Sequence, residues 1–184
     1  ENWKAYAPPD ADAEGVSAFL ATQVPTSVTW KDIENFRARW PGKLVLKGVM
    51  RADDATRAAD LGVDGLIVSN HGARQLDRAP SPLDVFPAIN AAVGDRMTLM
   101  TDGGIRRGAD VLIALAMGAK FVFLGRPTLY GAIAGGEIGA AKAIRIVNDE
   151  MNKIMAQIGC PSLDQLGPDF LHRPPEDLRR NLQD

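Results

Sequence analysis

From residue 30 onward the apolar positions alternate between two spacings. Trp30, Ile33, Phe36 and Trp40 recur near the helical period and Pro41-Gly42 stops the run, which predicts a helix over 30–40. Short apolar runs at 44–49, 65–69, 97–101 and 121–124 predict four buried strands. Helical patterns lie between them. One is opened by Asp53 and Asp54, acids at the positive end of a helix dipole, and ends at Gly62. Others cover 82–93 and 108–117. A long last helix runs from about 136 to 158, with Ile144, Val147, Met151, Ile154 and Met155 on one packing face.

Strand starts near 44, 65, 97 and 121 give βα units of 21 to 32 residues. Repeated βαβ units build either an open doubly wound sheet or a closed barrel. Four strands are half of the eight in a barrel, and a lone half would leave sheet edges and much of the interior open. The expected fold is therefore α/β, the carboxyl-terminal half of a (β/α)8 TIM barrel, with the chain a piece of a longer enzyme. A complete four-stranded open sheet is the alternative. Residues 1–29 have the character of an exposed loop, with a short helix over 17–24, and 161–184 form a polar, proline-bearing tail.

Composition narrows the partners more than the fold. A net charge of −2 over 184 residues gives no support for nucleic-acid binding. The single Cys160 excludes an internal disulfide framework, and with no basic neighbour in sequence it reads as a packed thiol. His71 and His172 make no metal-ligand spacing. His172, in the tail, reads as a surface residue.

The chemistry concentrates after the predicted strands, where α/β barrels carry their active sites. Ser69-Asn-His-Gly-Ala-Arg-Gln-Leu-Asp77 puts His71 and Arg74 on one loop. An imidazole moves protons near neutral pH, and a guanidinium holds a carboxylate with two parallel hydrogen bonds. Together they point to proton abstraction from a small carboxylic acid. A surface pair between Arg74 and Asp77 is the plainer reading of that arginine. Lys47, in Leu44-Val-Leu-Lys-Gly-Val49, is either a strand-end lysine reaching water or a cation that stabilises developing negative charge. Asp102-Gly-Gly-Ile-Arg-Arg-Gly108 follows the third strand and opens a helix. Its glycines allow close approach of backbone N–H groups to an anion, the helix supplies a positive terminus, and Arg106 or Arg107 adds a fork. Gly125-Arg126-Pro127 fits as the second half of the same phosphate clamp.

Leu46-Lys-Gly48, Ser69–Asp77, Asp102–Gly108 and Leu124-Gly-Arg-Pro127, in that order, resemble the FMN-dependent (S)-2-hydroxy acid oxidoreductases, the family of glycolate oxidase, flavocytochrome b2 and mandelate dehydrogenase. The resemblance covers about 28 to 170, the carboxyl-terminal half of that family's barrel. Ala156-Gln-Ile-Gly-Cys160 and the stretch 125–131 look most like bacterial mandelate-type members.

By resemblance, FMN is the cofactor. Lys47 touches the flavin pyrimidine edge and Ser69 the flavin. His71 is the base and Arg74 grips the substrate carboxylate. Asp102, Gly103, Gly104, Ile105 and Arg106 bind the ribityl chain and phosphate, with Gly125 and Arg126 completing the cradle. The resemblance further implies oxidation of a mandelate-like acid, lactate or glycolate, and electron transfer to a quinone-type carrier or to oxygen. It implies a homotetramer and an amino-terminal half-barrel supplied elsewhere, with 1–29 as a mobile loop after the fourth strand and 30–160 as the second half of the barrel. The expected location is the cytoplasm, or a peripheral seat on the inner membrane. Trp3, Tyr6, Phe19 and Leu20 suit an interface, but Glu1, Asp10, Asp12 and Glu14 against Lys4 have the wrong sign for anionic lipid. Two rival readings are another FMN barrel, such as an IMP dehydrogenase or a flavin-type isopentenyl diphosphate isomerase, and a non-catalytic flavin-binding subunit. An IMP dehydrogenase needs a cysteine on a barrel loop, and Cys160 sits on the final helix.

Overall fold

A computed structural model describes residues 5–23 and 27–172. Tertiary contacts divide the chain into two units, 1–39 and 40–184. The first holds helix α1 (Ala13–Gln23), which has no buried residue, and helix α2 (Trp30–Arg39). Asp32 fixes the start of α2, where its Oδ2 accepts from the Thr29 N–H at 2.8 Å and the Thr29 hydroxyl at 2.7 Å. The helix expected over 17–24 thus begins four residues earlier, and Trp3 and Val24 lie outside the described residues.

The second unit is built on four parallel strands: β1 (Val45–Lys47), β2 (Gly65–Val68), β3 (Thr98–Thr101) and β4 (Phe121–Val122). They pair in sequence order, with Lys47 level with Ile67, Ile67 with Met100 and Met100 with Phe121. A doubly wound sheet reverses its order at a switch point. This sheet does not, as a barrel requires. Helices α3 (Ala52–Asp60), α4 (Pro82–Val93) and α5 (Gly108–Ala116) follow β1, β2 and β3.

Side chains alternate across each strand, and burial alternates with them. Leu66, Val68, Leu99 and Thr101 are fully buried, in a core shared with Ala55 and Ala58 of α3, Phe86 and Ile89 of α4 and Leu112 of α5. The opposite face carries Val45, Lys47, Ile67, Met100, Phe121 and Phe123. There Val45 is 42% exposed and Phe121 56%. An aromatic and a β-branched residue left open on one sheet face, while the other face is sealed, are the mark of a barrel interior shown from the inside.

Local chemistry sets the element ends. Ser81 caps α4 by accepting the Leu83 N–H at 3.3 Å, Asp84 returns the favour to the Ser81 N–H, and Pro82 takes the first turn, where its missing N–H costs nothing. The expected last helix differs most. Helix α6 runs from Arg126 to Gln157 and is broken at Gly135 and Gly136, where φ is −158° and +57°. The arm over 126–134 precedes the glycine pair, because Pro127 suits a first helical turn. The two arms cross at Gly131 and Gly139, so closely that a Cβ on Gly131 would stand 2.5 Å from the Gly139 carbonyl oxygen. Of the expected packing face, Val147 is buried but Ile144 is 46% exposed. Cys160 is buried and its thiol donates to the Ser162 carbonyl at 3.2 Å, while His172 is exposed.

Candidate active site

The carboxyl ends of β1, β2, β3 and β4 deliver their following loops to one cleft of about 300 Å³. Lys47, His71, Arg74, Asp102, Gly103, Gly104, Ile105, Arg106, Gly125 and Arg126 all line it. Ser69 does not, but it accepts a 2.7 Å hydrogen bond from Lys47 Nζ, one of the cleft's groups. Four cationic side chains, Lys47, Arg74, Arg106 and Arg126, stand there with the carboxylate of Asp102 among the described lining residues. Low-dielectric walls lined by one sign of charge attract anions. Arg74 belongs to this cleft and is not paired with Asp77.

Lys47 ends β1 facing the uncovered side of the sheet. Its Nζ lies 2.5 Å from Asp102 Oδ2 and also donates to the buried Ser69 hydroxyl oxygen. These two bonds tie the lysine into the cleft, while its side chain stays half exposed. The Ser69 oxygen also accepts the His71 N–H at 3.1 Å. A continuous chain therefore runs from Asp102 through Lys47 and Ser69 to the His71 backbone. His71, Gly72 and Ala73 form a short 3-10 turn in which all three have positive φ, at 57°, 64° and 60°. Arg126 crosses close above it: a Cβ on Gly72 would meet the Arg126 guanidinium at 3.2 Å.

The anion cradle differs from its sequence reading in one respect. At the start of α5 the N–H groups of Arg106, Arg107 and Gly108 are already taken. Asp110 Oδ2 accepts the N–H of Arg106 at 2.8 Å and of Arg107 at 2.9 Å, and Glu150 Oε2 accepts that of Gly108 at 2.8 Å. Two carboxylates already compensate this helix terminus. Arg107 is taken as well, paired with Glu150 at 2.5 Å through Nη2, so Arg106 is the member of the arginine pair that faces the cleft. What remains for an anion is the loop of Gly103 and Gly104, whose φ values of 88° and 77° favour glycine, and the start of α6 at Gly125 and Arg126.

The residues fit a flavin nucleotide on one specific point. Asp102 Oδ1 is buried and has no hydrogen-bond partner, an unusual state for a carboxylate oxygen unless a ligand supplies the donor. Hydroxyls of a ribityl chain are donors of the required kind, open space beside Gly104 leaves room for them, and Arg106 and Arg126 are of the type that holds a phosphate.

The sequence profile of the FMN-dependent dehydrogenases matches residues 1–173. The chain belongs to that family. It is 45% identical over 165 residues to an L-lactate oxidase of Nostoc sp., covering 89% of this chain and 45% of the relative. It is 43% identical over 155 residues to the (S)-mandelate dehydrogenase of Pseudomonas putida, covering 84% of this chain and 39% of the relative. A crystal structure of the monotopic membrane protein (S)-mandelate dehydrogenase superposes with a TM-score of 0.84 at 40% identity, over 92% of this chain and 44% of that one. The chain thus spans about half the length of the curated relatives it matches, and its four βα units are half of a (β/α)8 flavoenzyme barrel.

Proposed function

We propose that this chain is the FMN- and substrate-binding half of an enzyme that oxidises an (S)-2-hydroxy acid to the 2-oxo acid. The observation that carries the reading is the gathering of His71 and Arg74 with Lys47, Arg106, Arg126 and the unpartnered Asp102 oxygen in one cleft. Arg74 binds the acid's carboxylate in a planar fork. His71 takes a proton from the substrate as it is oxidised. Lys47, held by Asp102 and Ser69, presents positive charge beside the reacting centre. Arg106, with Gly103, Gly104 and Ile105, and Gly125 with Arg126 hold the phosphate end of the cofactor. Bound FMN supplies the two-electron acceptor that none of these side chains provides.

The uncovered strand face with Val45, Phe121 and Phe123 supports an amino-terminal half-barrel as its cover, and that half completes the substrate pocket. The acid is lactate, glycolate or a mandelate-like aromatic acid, and the assembled protomers form a tetramer. The electron acceptor is a quinone or another organic carrier, a reading supported by the similarity to (S)-mandelate dehydrogenase. Oxygen is the second reading, favoured by the 45% identity to an L-lactate oxidase and by the acidic segment 1–29. Among the described residues no helix is long and apolar enough to cross a membrane. The location proposed for the enzyme is the cytoplasm, with a peripheral seat on the inner membrane as the second reading.

The test is a flavin spectrum. The purified full-length protein should bleach anaerobically with the (S) enantiomer of lactate or mandelate and not with the (R) enantiomer. A bound flavin that no 2-hydroxy acid bleaches would leave a flavin-binding subunit. Reoxidation then separates the acceptors: fast reaction with dissolved oxygen and stoichiometric peroxide, with no advantage for a quinone analogue, would identify an oxidase.

A further inference from the structure

We propose that Asn70 is a positioning residue for His71, and that it couples the histidine turn to the cofactor loop. The inference rests on the function proposed above for that turn. Three consecutive residues, His71, Gly72 and Ala73, occupy the left-handed region. For the two that carry a Cβ this conformation is strained, and it persists only where neighbouring groups hold it.

The groups that hold it come from the two residues before the turn. Ser69 Oγ accepts the His71 N–H, and Asn70 Oδ1 accepts the Gly72 N–H at 2.9 Å. The Asn70 main-chain carbonyl takes the next N–H, that of Ala73, at 3.0 Å. The other end of the amide, Nδ2, donates to the Pro80 carbonyl at 3.2 Å, ten positions on, and closes the loop on itself. The amide's orientation is fixed by its partners, since an N–H can only donate and a carbonyl can only accept. A third relationship links this to the cofactor side. A Cβ on Gly103 would lie 3.1 Å from Asn70 Oδ1 and 3.2 Å from Pro82 Cγ, so the amide fits beneath the Asp102–Gly104 backbone because Gly103 lacks a side chain. One short side chain with both a donor and an acceptor therefore joins the histidine turn, the far end of its loop and the floor of the flavin cradle. Serine would keep an acceptor near Gly72 but would not reach Pro80. Alanine would lose both bonds.

The test compares Asn70→Ala and Asn70→Ser in the full-length holoenzyme with two readouts. Hydrogen exchange should quicken in the alanine variant over 69–80 and over the 102–104 loop packed on the amide, and nowhere else, and should return toward wild type in the serine variant. The rate of anaerobic flavin reduction should fall roughly ten- to a hundred-fold in the alanine variant, the scale on which small misplacements of a reacting group act. Flavin content should not change, and the serine variant should recover most of the rate. Unchanged exchange, a wild-type reduction rate, or equal slowing of both variants with loss of flavin would each overturn the positioning role. If the alanine variant does not fold, Asn70→Gly against Asn70→Ser reads the same ordering. A wild-type protein that no hydroxy acid reduces, but whose exchange pattern behaves as stated, would sink the proposed reaction and leave the coupling in place.

Discussion

Arg107 and Glu150, 43 residues apart in sequence, meet through both ends of a guanidinium–carboxylate fork, at 2.5 Å for Nη2 and 3.0 Å for Nε. The same carboxylate takes the Gly108 N–H, so the last helix is pinned to the start of α5 at the edge of the Asp102–Arg106 loop. A Cβ on Gly108 would stand 2.5 Å from the Met151 nitrogen, which shows how close the two helices run.

That pairing makes one contribution to stability depend on pH. The Arg107 hydrogen bond, then the Gly108 N–H, hold the Glu150 carboxyl below the ordinary glutamate range. A carboxyl with a lowered folded-state pKa stabilises the fold above its unfolded value, about pH 4.3, and loses that contribution as pH falls through the folded value. Urea unfolding of Glu150→Gln in the full-length protein should therefore show a deficit against wild type at pH 7 that closes as the pH falls below the ordinary glutamate range. A deficit that stays constant across that range would remove Glu150 as its source.

Lys47→Met would leave Asp102 with both carboxylate oxygens short of a partner and would strip Ser69 of one donor. A charge-assisted hydrogen bond is worth about 1.5–3 kcal/mol, and partial exposure of Lys47 argues for the lower end. FMN should bind about ten-fold more weakly to the full-length variant, measured by the recovery of flavin fluorescence on release. Retention equal to wild type would mean that the lysine does not organise the cradle.

The crossing of the two arms of α6 tolerates no side chain at Gly131, because the obstruction is main chain and cannot turn aside. Gly131→Ala should cost roughly 1–3 kcal/mol, the usual range for overpacking. Gly135→Ala, with nothing within 4 Å of its Cβ, serves as the tolerant comparison. Denaturant unfolding of both variants checks the difference, and equal stabilities would contradict the close crossing.

Arg74→Lys keeps the positive charge and loses the planar fork. Binding of the hydroxy acid should weaken and flavin reduction at saturation should slow, both read in single-turnover kinetics. If neither changes, Arg74 is not the carboxylate's partner.

The strands were legible in the sequence to within two residues at either end, because each is a short apolar run bounded by Gly or by charge, and α4 was legible to the residue because its capping box is local. The residues of the cleft were equally legible, since His71, Arg74 and the Asp102–Arg106 loop all follow strand ends. What escaped the sequence depends on distance. The capping of α5 by Glu150 joins positions 42 apart, so the helix terminus looked open when it was filled. The 126–134 arm of α6 was hidden by a glycine pair that reads as a helix start. The span from Asn70 to Pro80 needed the folded loop to be seen.

The most direct measurement of the central claim is stopped-flow reduction of the flavin by an (S)-2-hydroxy acid under anaerobic conditions, in the full-length protein and in His71→Asn. The variant should keep its FMN and reduce it about 10²–10⁴-fold more slowly, the loss expected when a general base is removed. Reduction of the variant's flavin at the wild-type rate would contradict the assignment of His71 and, with it, the chemistry given to this cleft.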